Sequence, residues 1–262
     1  MTSLRIALGQ YDIGWHDPEA SLSRAADLIG RAASAGARVV LLPEMCTIGF
    51  TMDAARYAEP IDGPSAQRLS AIARSAGVYV IAGLATRASD AEGLERYYNS
   101  ALLFAPDGSL KAEYRKQRLF AYADEEKIYS AGDHPVVVDI DGLRLGLLIC
   151  FDLRFPELFS AIAPHVDAIS VIASWPSARQ SHWETLLRAR AIESQAYVIG
   201  VNRIGRGGKL DYLGGSAVFD PWGAPLALEG DPPIAMIDAA VVASTRKAFP
   251  MVRDRRGDGV QL

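Results

Sequence analysis

The sequence has 262 residues, half of them hydrophobic, with a net charge of −4. A chain of this length can bury one large core, so we expect a single domain over residues 1–262, with residues 245–262 as a C-terminal tail. The mixed charges exclude the basic stripe of nucleic-acid-binding proteins, and no apolar run approaches the roughly 20 residues that span a bilayer.

In chain order, hydrophobic periodicity predicts strands that alternate with helices. The predicted elements are strand Leu4–Gly9, helix Pro18–Ala35, strand Val39–Leu42, helix Pro64–Ala76, strands Val78–Leu84, Tyr97–Phe104, Val136–Ile140 and Leu143–Cys150, helix Phe155–Ala163, strand Ala168–Ala173, helix Arg179–Gln195, and strands Tyr197–Val201, Ser216–Phe219 and Ile234–Ile237. Strands that are apolar on both faces and alternate with helices indicate an α/β protein with covered sheets. The hairpin signal Asp141-Gly142 argues against a purely parallel sheet, so we expect a sandwich of mixed sheets with helices outside.

The sequence argues against a signal peptide, a disulfide framework, a metal site and a cofactor site. The N-terminus enters a strand pattern rather than a signal peptide, and two cysteines make no disulfide framework, so we expect a cytoplasmic protein with reduced thiols. The four histidines show no ligand spacing with either cysteine, which argues against a metal. The segment Gly205-Arg206-Gly207-Gly208 lacks a P-loop or dinucleotide pattern and is predicted to be a flexible loop, so we expect no cofactor.

Three predicted strand ends carry reactive side chains. Glu44 follows the apolar run Val39–Leu42, Lys116 follows the strand and turn around residues 97–110, and Cys150 ends its own strand. In α/β sheets, sites form where strands end, so we expect the three groups to converge. For each residue a simpler interpretation exists: a capping carboxylate, a solvated basic turn, or a buried core cysteine.

The chemistry that needs these residue types is hydrolysis of an amide or nitrile through a cysteine adduct. Cys150 would attack the carbonyl carbon, and its place at a helix entry should lower the pKa of the thiol. No histidine is positioned to take its proton, so the carboxylate of Glu44 would do so. Lys116 and the main-chain N–H of Phe151 would stabilise the oxyanion.

Three segments resemble the signatures of the nitrilase superfamily of carbon–nitrogen hydrolases, in the order and at about the spacing found there. They are Pro43-Glu44, Tyr114-Arg115-Lys116 and Cys150-Phe151-Asp152-Leu153-Arg154-Phe155-Pro156-Glu157. The resemblance implies an α-β-β-α sandwich that dimerises into an α-β-β-α-α-β-β-α arrangement. It also implies Glu44 as general base, Lys116 as oxyanion stabiliser and Cys150 as nucleophile, without a cofactor or a metal.

The superfamily has a second glutamate after the lysine, and the segment from Asp124 to Gly132 resembles that region. Glu125 fits best, with Glu126 as the competitor, and the residue would orient Lys116 and the substrate amide. The alternative is a solvated acidic loop. The stretches LLPEMCTIGF and SWPSARQSHWETLL are similar to the omega-amidase branch, whose substrates are 2-oxoglutaramate and 2-oxosuccinamate. Cys46 departs from the aromatic residue expected there.

A short dicarboxylate-like substrate needs a cation for its carboxylate end. Arg154 is the first candidate and Arg179 the second, since a guanidinium binds a carboxylate in a bidentate fork. Either could instead form a structural ion pair. Trp175 follows the strand Ala168–Ala173 and is predicted either to wall the pocket or to pack in the core or a dimer interface.

The sequence leaves other functions open. Within the superfamily, the chain could act on deaminated glutathione or on N-carbamoyl amino acids, or it could be a true nitrilase that forms a thioimidate at Cys150. Outside it, the chain could be a non-catalytic interaction protein, although none of the three catalytic residue types is missing. It could also be a redox sensor that pairs Cys150 with Cys46 as the resolving thiol.

Overall fold

A computed structural model describes residues 3–254, which contain fourteen strands and seven α-helices. The strands are β1 (Ser3–Leu8), β2 (Val39–Leu41), β3 (Glu59–Pro60), β4 (Tyr79–Ser89), β5 (Glu95–Phe104), β6 (Leu110–Arg115), β7 (Val136–Ile140), β8 (Leu143–Ile149), β9 (Ala168–Ala173), β10 (Tyr197–Asn202), β11 (Ile204–Gly207), β12 (Leu210–Leu213), β13 (Ala217–Phe219) and β14 (Ile234–Asp238). The helices are α1 (Pro18–Ser34), α2 (Ala54–Tyr57), α3 (Pro64–Ala76), α4 (Glu125–Ile128), α5 (Pro156–Ile162), α6 (Gln180–Ser194) and α7 (Ala239–Ala248). None of the helices within this described part of the chain is long and apolar enough to cross a membrane.

Two mixed sheets form the centre of the molecule. The first has the order β14-β1-β2-β4-β5-β6, with β3 attached to β4, and its strands β1, β2 and β4 are parallel. The second has the order β13-β10-β9-β8-β7, with β8, β9 and β10 parallel. Antiparallel strands flank the parallel centre of each sheet, which confirms the prediction of mixed sheets.

The sheets pack face to face with helices on both outer sides. Inward-facing residues of both sheets, such as Ile6 and Leu147, share one buried core. The opposite face of the first sheet packs against α1 and α3, through residues such as Leu28 and Leu69. Side chains of α5 and α6, including Phe159, cover the second sheet. These layers confirm the predicted α-β-β-α sandwich.

The predicted elements agree with the structure to within two residues, except that β4 runs five residues beyond the predicted end at Leu84. Strand β6 was not predicted because its sequence, LKAEYR, is mostly polar: Tyr114 is its one buried residue, and Ala112 packs partly against the core. The stretch Gly205–Gly208 was predicted to be a flexible loop, but it belongs to the hairpin of β11 and β12. The glycines allow the turn, and pairing with Leu210–Leu213 orders it.

The first part of the expected C-terminal tail is helical. Thr245 is buried in the last described α-helix, α7, whose residues from 239 to 248 follow β14. A short 3-10 turn, Met251–Asp254, comes next, and residues 255–262 of the expected tail lie outside the described residues. The hydrophobic pattern did not indicate α7, because the helix buries only Val242 and Thr245 and so has little apolar periodicity.

Gly83 of β4 lies directly beneath the segment that carries Glu44. A Cβ atom at position 83 would lie 2.6 Å from the Cα atom of Glu44 and 2.6 Å from the carbonyl oxygen of Pro43. Both neighbours are main-chain atoms, which cannot move aside as a flexible side chain does. The glycine therefore permits the close approach that places Glu44 at the end of β2.

We expect Gly83→Ala to lower the free energy of unfolding by about 1–3 kcal/mol, because the added methyl group overpacks the core against main chain. Gly30→Ala is the matched control: Gly30 lies in α1, and a Cβ atom added there would meet nothing within 4 Å. That substitution should be neutral or stabilise the fold by about 0.5–1 kcal/mol. Urea denaturation of both variants measures the difference, and equal stabilities would contradict the proposed contact.

Candidate active site

Lys116 lies between two buried carboxylates at the end of β6. Its Nζ atom is 3.0 Å from Glu44 Oε1 and 2.8 Å from Glu125 Oε2, and all three side chains are inaccessible to solvent. Burial opposes the charged form of the ammonium, but the carboxylates of Glu125 and Glu44 overcome that effect and raise the pKa of Lys116 above its usual value. Lys116 is therefore a buried cation rather than part of a solvated turn.

The second glutamate after the lysine is held rigidly. Glu125 begins α4 and accepts hydrogen bonds from Lys116 through both oxygens, while Phe120 donates its main-chain N–H to Glu125 Oε2 at 2.6 Å. Glu126 is exposed one residue later. The structure thus brings Glu125, and not Glu126, to Lys116.

Two further polar residues, which the sequence analysis did not identify, donate hydrogen bonds to the carboxylates of Glu44 and Glu125. Asn99 on β5 donates to Glu44 and Glu125, and the main-chain N–H of Ser174 donates to Glu44 Oε2 at 2.9 Å. Asn99 shares the inward face of β5 with Ala101 and lies in a run of otherwise apolar inward positions. A polar residue on a buried strand face was the signal that could have identified it.

Cys150 sits at a sharp turn between β8 and a 3-10 turn, Cys150–Arg154. Its φ angle is +47°, a left-handed conformation that is uncommon for a residue other than glycine. Such a strained strand-to-helix turn exposes the nucleophile in other hydrolases.

Asp152 fastens this turn to the strand that carries Lys116. Its carboxylate accepts hydrogen bonds from the Tyr114 hydroxyl at 2.8 Å and from the main-chain N–H groups of Ile149 and Arg118, both at 2.9 Å. Asp152 is fully buried, and burial raises the pKa of its carboxyl to about 6. One side chain thus fixes Cys150 relative to Lys116.

The expected low thiol pKa is wrong. Burial, together with the negative charge of Glu44, raises the pKa of the Cys150 thiol well above its usual value, and the positive charge of Lys116 only partly offsets this. The turn that follows is only five residues long, so its dipole contributes little. Cys150 therefore rests as a thiol beside a carboxylate, rather than as a preformed thiolate.

A cavity of about 580 Å³ opens onto Glu44, Lys116 and Cys150. The β11–β12 hairpin forms one wall, which includes Tyr212. The other walls include six aromatic residues, which are Trp15, Phe50, Phe120, Tyr122, Phe151 and Trp175. The three strand ends thus converge on one pocket, as the sequence predicted.

The predicted cation-bearing residues line the same cavity. The Arg154 guanidinium lies 4.7 Å from the centre of the Trp175 ring, and the Arg179 guanidinium lies 5.4 Å from that of Phe120. Within residues 3–254, neither arginine forms an ion pair with a carboxylate. Burial, reinforced by the nearby charge of Arg179, lowers the pKa of Arg154. Trp175 is nearly buried, packs in the core and also lines the cavity.

Comparison with known proteins adds independent evidence. Residues 5–249 match the family described as carbon-nitrogen hydrolase. The chain belongs to this family. The 2-oxoglutaramate amidase of Bacillus subtilis is 33% identical, over 95% of this chain and 96% of that protein.

Two solved structures extend the comparison. The hydrolase is similar to XC1258 of Xanthomonas campestris, a CN-hydrolase superfamily protein, with a TM-score of 0.88, 35% identity and coverage of both whole chains. It is also similar to the amidase of Nesterenkonia sp. AN1, at a TM-score of 0.82, 29% identity, and 97% and 94% coverage. In one structure of that amidase, the acetamide moiety of fluoroacetamide is covalently attached to the active-site cysteine.

The second cysteine of the hydrolase lies apart from this chemistry. Cys46 is buried, and burial raises the pKa of its thiol to about 12. Both cysteines are free thiols. A thiol that stays protonated attacks disulfides and sulfenic acids poorly, which argues against Cys46 as a resolving partner. The described part of the hydrolase also contains no cluster of three or more potential metal-ligating side chains.

Asp152 predicts a specific pH dependence of stability. The pKa of Asp152 is about 6 in the folded hydrolase, above the usual aspartate pKa of 3.8 that applies in the unfolded chain, so the folded state binds the proton more tightly. Protonation therefore stabilises the fold, and this stabilisation is lost as the pH rises through about 6. Asp152→Asn removes it. Between pH 4.5 and 7.5 the stability of this variant should therefore rise by about 2 kcal/mol relative to that of the natural hydrolase. Urea denaturation across this range measures the difference, and a constant difference would contradict the buried, titrating carboxyl.

Proposed function

We propose that the hydrolase is an omega-amidase, which releases ammonia from the terminal amide of 2-oxoglutaramate or 2-oxosuccinamate. Cys150 is the nucleophile, Glu44 the general base, Lys116 the oxyanion stabiliser, and Glu125 holds Lys116. The observation that carries the proposal is the cavity itself, because its lining combines a thiol and a carboxylate with two arginines that form no ion pair with a carboxylate within residues 3–254. The relative named 2-oxoglutaramate amidase supports the substrate.

Acylation begins from the neutral thiol. As Cys150 Sγ bonds to the amide carbon, the thiol proton passes to Glu44, so the thiolate never has to exist alone in a buried site. The carbonyl oxygen becomes an oxyanion that Lys116 and the main-chain N–H of Phe151 stabilise. The C–N bond then breaks, Glu44 returns the proton to the leaving nitrogen, and ammonia departs from a Cys150 thioester.

Deacylation uses the same groups with water as the nucleophile. Glu44 takes a proton from the water as its oxygen bonds to the thioester carbon. The second oxyanion collapses, the C–S bond breaks, and Glu44 returns the proton to Cys150. The product is a dicarboxylic acid, and the resting thiol and carboxylate are restored without net proton uptake by these two groups.

The arginine pair explains why the substrate should carry a carboxylate. Two neighbouring guanidinium groups repel each other, and an anion between them removes that repulsion. Their aromatic neighbours shield the site from water, which strengthens a charge-assisted hydrogen bond. Arg154 and Arg179 therefore select an amide whose far end is anionic, while Trp175 fixes the position of the first guanidinium.

A second candidate substrate class follows from the size of the cavity. A volume of about 580 Å³ lies within the range that holds drug-sized ligands, and it leaves room beyond a five-carbon amide. Deaminated glutathione carries a larger group on the amide nitrogen and also ends in carboxylates. The size of the cavity therefore favours deaminated glutathione, rather than N-carbamoyl amino acids or simple nitriles, as the alternative substrate.

We also propose a homodimer and a reducing, cytoplasmic location. Trp222, Phe249 and Ile192 are each about half exposed, the two aromatic rings stack at 6.3 Å, and Ile192 packs against Gly223, the residue after Trp222. An exposed apolar patch of this kind is typical of a surface that a second copy covers. Catalysis through a free thiol at Cys150 requires reducing conditions, which the cytoplasm provides.

Substitution of the nucleophile tests the reaction. We expect Cys150→Ser to lower ammonia release from 2-oxoglutaramate by about a thousandfold or more, because Glu44 is a weak base for an alcohol. Cys46→Ala is the control and should retain turnover. Deaminated glutathione and an N-carbamoyl amino acid are assayed in parallel. Turnover of either comparator alone would discard the omega-amidase assignment, whereas undiminished activity of Cys150→Ser would discard the mechanism.

Substitution of an arginine tests the substrate class. Arg154→Gln should raise KM for 2-oxoglutaramate by about 10- to 100-fold, the value of a hydrogen bond to a charged group, with a smaller effect on kcat. Hydrolysis of butyramide, which has no carboxylate, should change little. Arg96→Gln is the control, because Arg96 lies outside the cavity and pairs with Asp90. Equal losses for both amides would show that Arg154 does not bind the carboxylate.

A further inference from the structure

Asn99 connects every charged member of the buried cluster. It is fully buried on β5, and its Nδ2 atom lies 2.7 Å from Glu44 Oε1 and 2.9 Å from Glu125 Oε1. Its main-chain carbonyl oxygen accepts the main-chain N–H of Lys116 at 2.8 Å. Both protons of the side-chain amide are therefore committed to carboxylates, one on each side of the ammonium.

The orientation of this amide is fixed by its neighbours. If the amide were turned over, its oxygen would face two carboxylate oxygens, which is repulsive. In the observed orientation Oδ1 is buried and has no hydrogen-bond partner within residues 3–254. An unpaired buried acceptor lowers stability. Asn99 is thus poorly suited as a purely structural core residue but well suited as a double donor.

The two oxygens of Glu44 are consequently unequal. Oε1 accepts hydrogen bonds from Asn99 and from Lys116 Nζ, which fill its two lone-pair directions. Oε2 accepts the main-chain N–H of Ser174. Among the contacts within residues 3–254, Oε2 therefore retains an open direction and can take a proton without losing a hydrogen bond, whereas Oε1 cannot.

We propose that Asn99 is a positioning residue that keeps Glu44 ionised and makes Oε2 the atom that exchanges the proton with Cys150. The proposal rests on the roles assigned above to Glu44 and Cys150. A neutral amide suits this task because the cluster already holds two carboxylates and one ammonium. It supplies two donors without changing the charge, whereas an aspartate at this position would supply none and add a third negative charge.

The test is the pH dependence of Cys150 alkylation by iodoacetamide, followed by mass spectrometry of the Cys150 peptide. In this reaction Sγ bonds to the methylene carbon, iodide leaves, and the thiol proton passes to Glu44. The acidic limb of the rate profile therefore reports when Glu44 can accept that proton. No amide substrate is needed, so the result does not depend on the proposed omega-amidase activity.

We expect Asn99→Ala to move the acidic limb to higher pH by about one unit, because Glu44 loses a hydrogen bond that favours its ionised form. Asn99→Asp, of nearly the same size, should move the limb further. Ser170→Ala is the control: the buried Ser170 hydroxyl donates to the Gly146 carbonyl, away from the cavity, and its removal should leave the limb in place.

Two results would overturn the proposal. The first is an acidic limb that stays in place in Asn99→Ala and Asn99→Asp while their stability falls, which would make Asn99 a structural residue only. The second is failure of both variants to fold while Ser170→Ala folds, which would give the same conclusion. If the acidic limb moves to higher pH as expected, but the natural hydrolase releases no ammonia from omega-amides, the proposed substrate is overturned and the role of Asn99 stands.

Discussion

The ammonium of Lys116, buried between two carboxylates, is the interaction on which the site depends. A buried charge is tolerated only when it is paired and hydrogen-bonded, and here Glu44 and Glu125 meet that need from opposite sides. Burial, together with the negative charge of Glu44, raises the pKa of the neighbouring Cys150 thiol well above its usual value. In the proposed mechanism the thiol proton therefore passes to Glu44 as the sulfur attacks.

The sandwich provides this arrangement because its parts approach the cluster from both sheets. Glu44 and Lys116 come from strands of the first sheet, and Cys150 and Ser174 come from the second. Direct contacts cross between the sheets, such as the Ser174 N–H to Glu44 and the Tyr114 hydroxyl to Asp152. The geometry of the cluster is therefore set by how the two sheets pack, and a shift between them would separate Glu44 from Cys150.

Local sequence was sufficient for the fold class and for the residues at strand ends. Apolar runs that stop at Glu44 and Cys150 are short-range signals, and the structure brings both residues to one cavity with Lys116. The place of Asn99 in the cluster was not predicted, because it depends on partners from two other segments, Glu44 and Glu125. The direction of the Cys150 pKa was mispredicted because it depends on burial and on Glu44, which lies far earlier in the chain. The β11–β12 hairpin was not predicted, because its glycines are equally compatible with a loop.

The proposed mechanism requires that Cys150 form a thioester with the amide substrate. Rapid acid quenching of the hydrolase during turnover of 2-oxoglutaramate, followed by mass spectrometry of the Cys150 peptide, tests it directly. We expect a transient mass increase equal to the substrate minus ammonia, located on Cys150 and discharged by hydroxylamine. Steady ammonia release with no adduct on Cys150 at any quench time, under conditions where acylation is faster than hydrolysis, would contradict it.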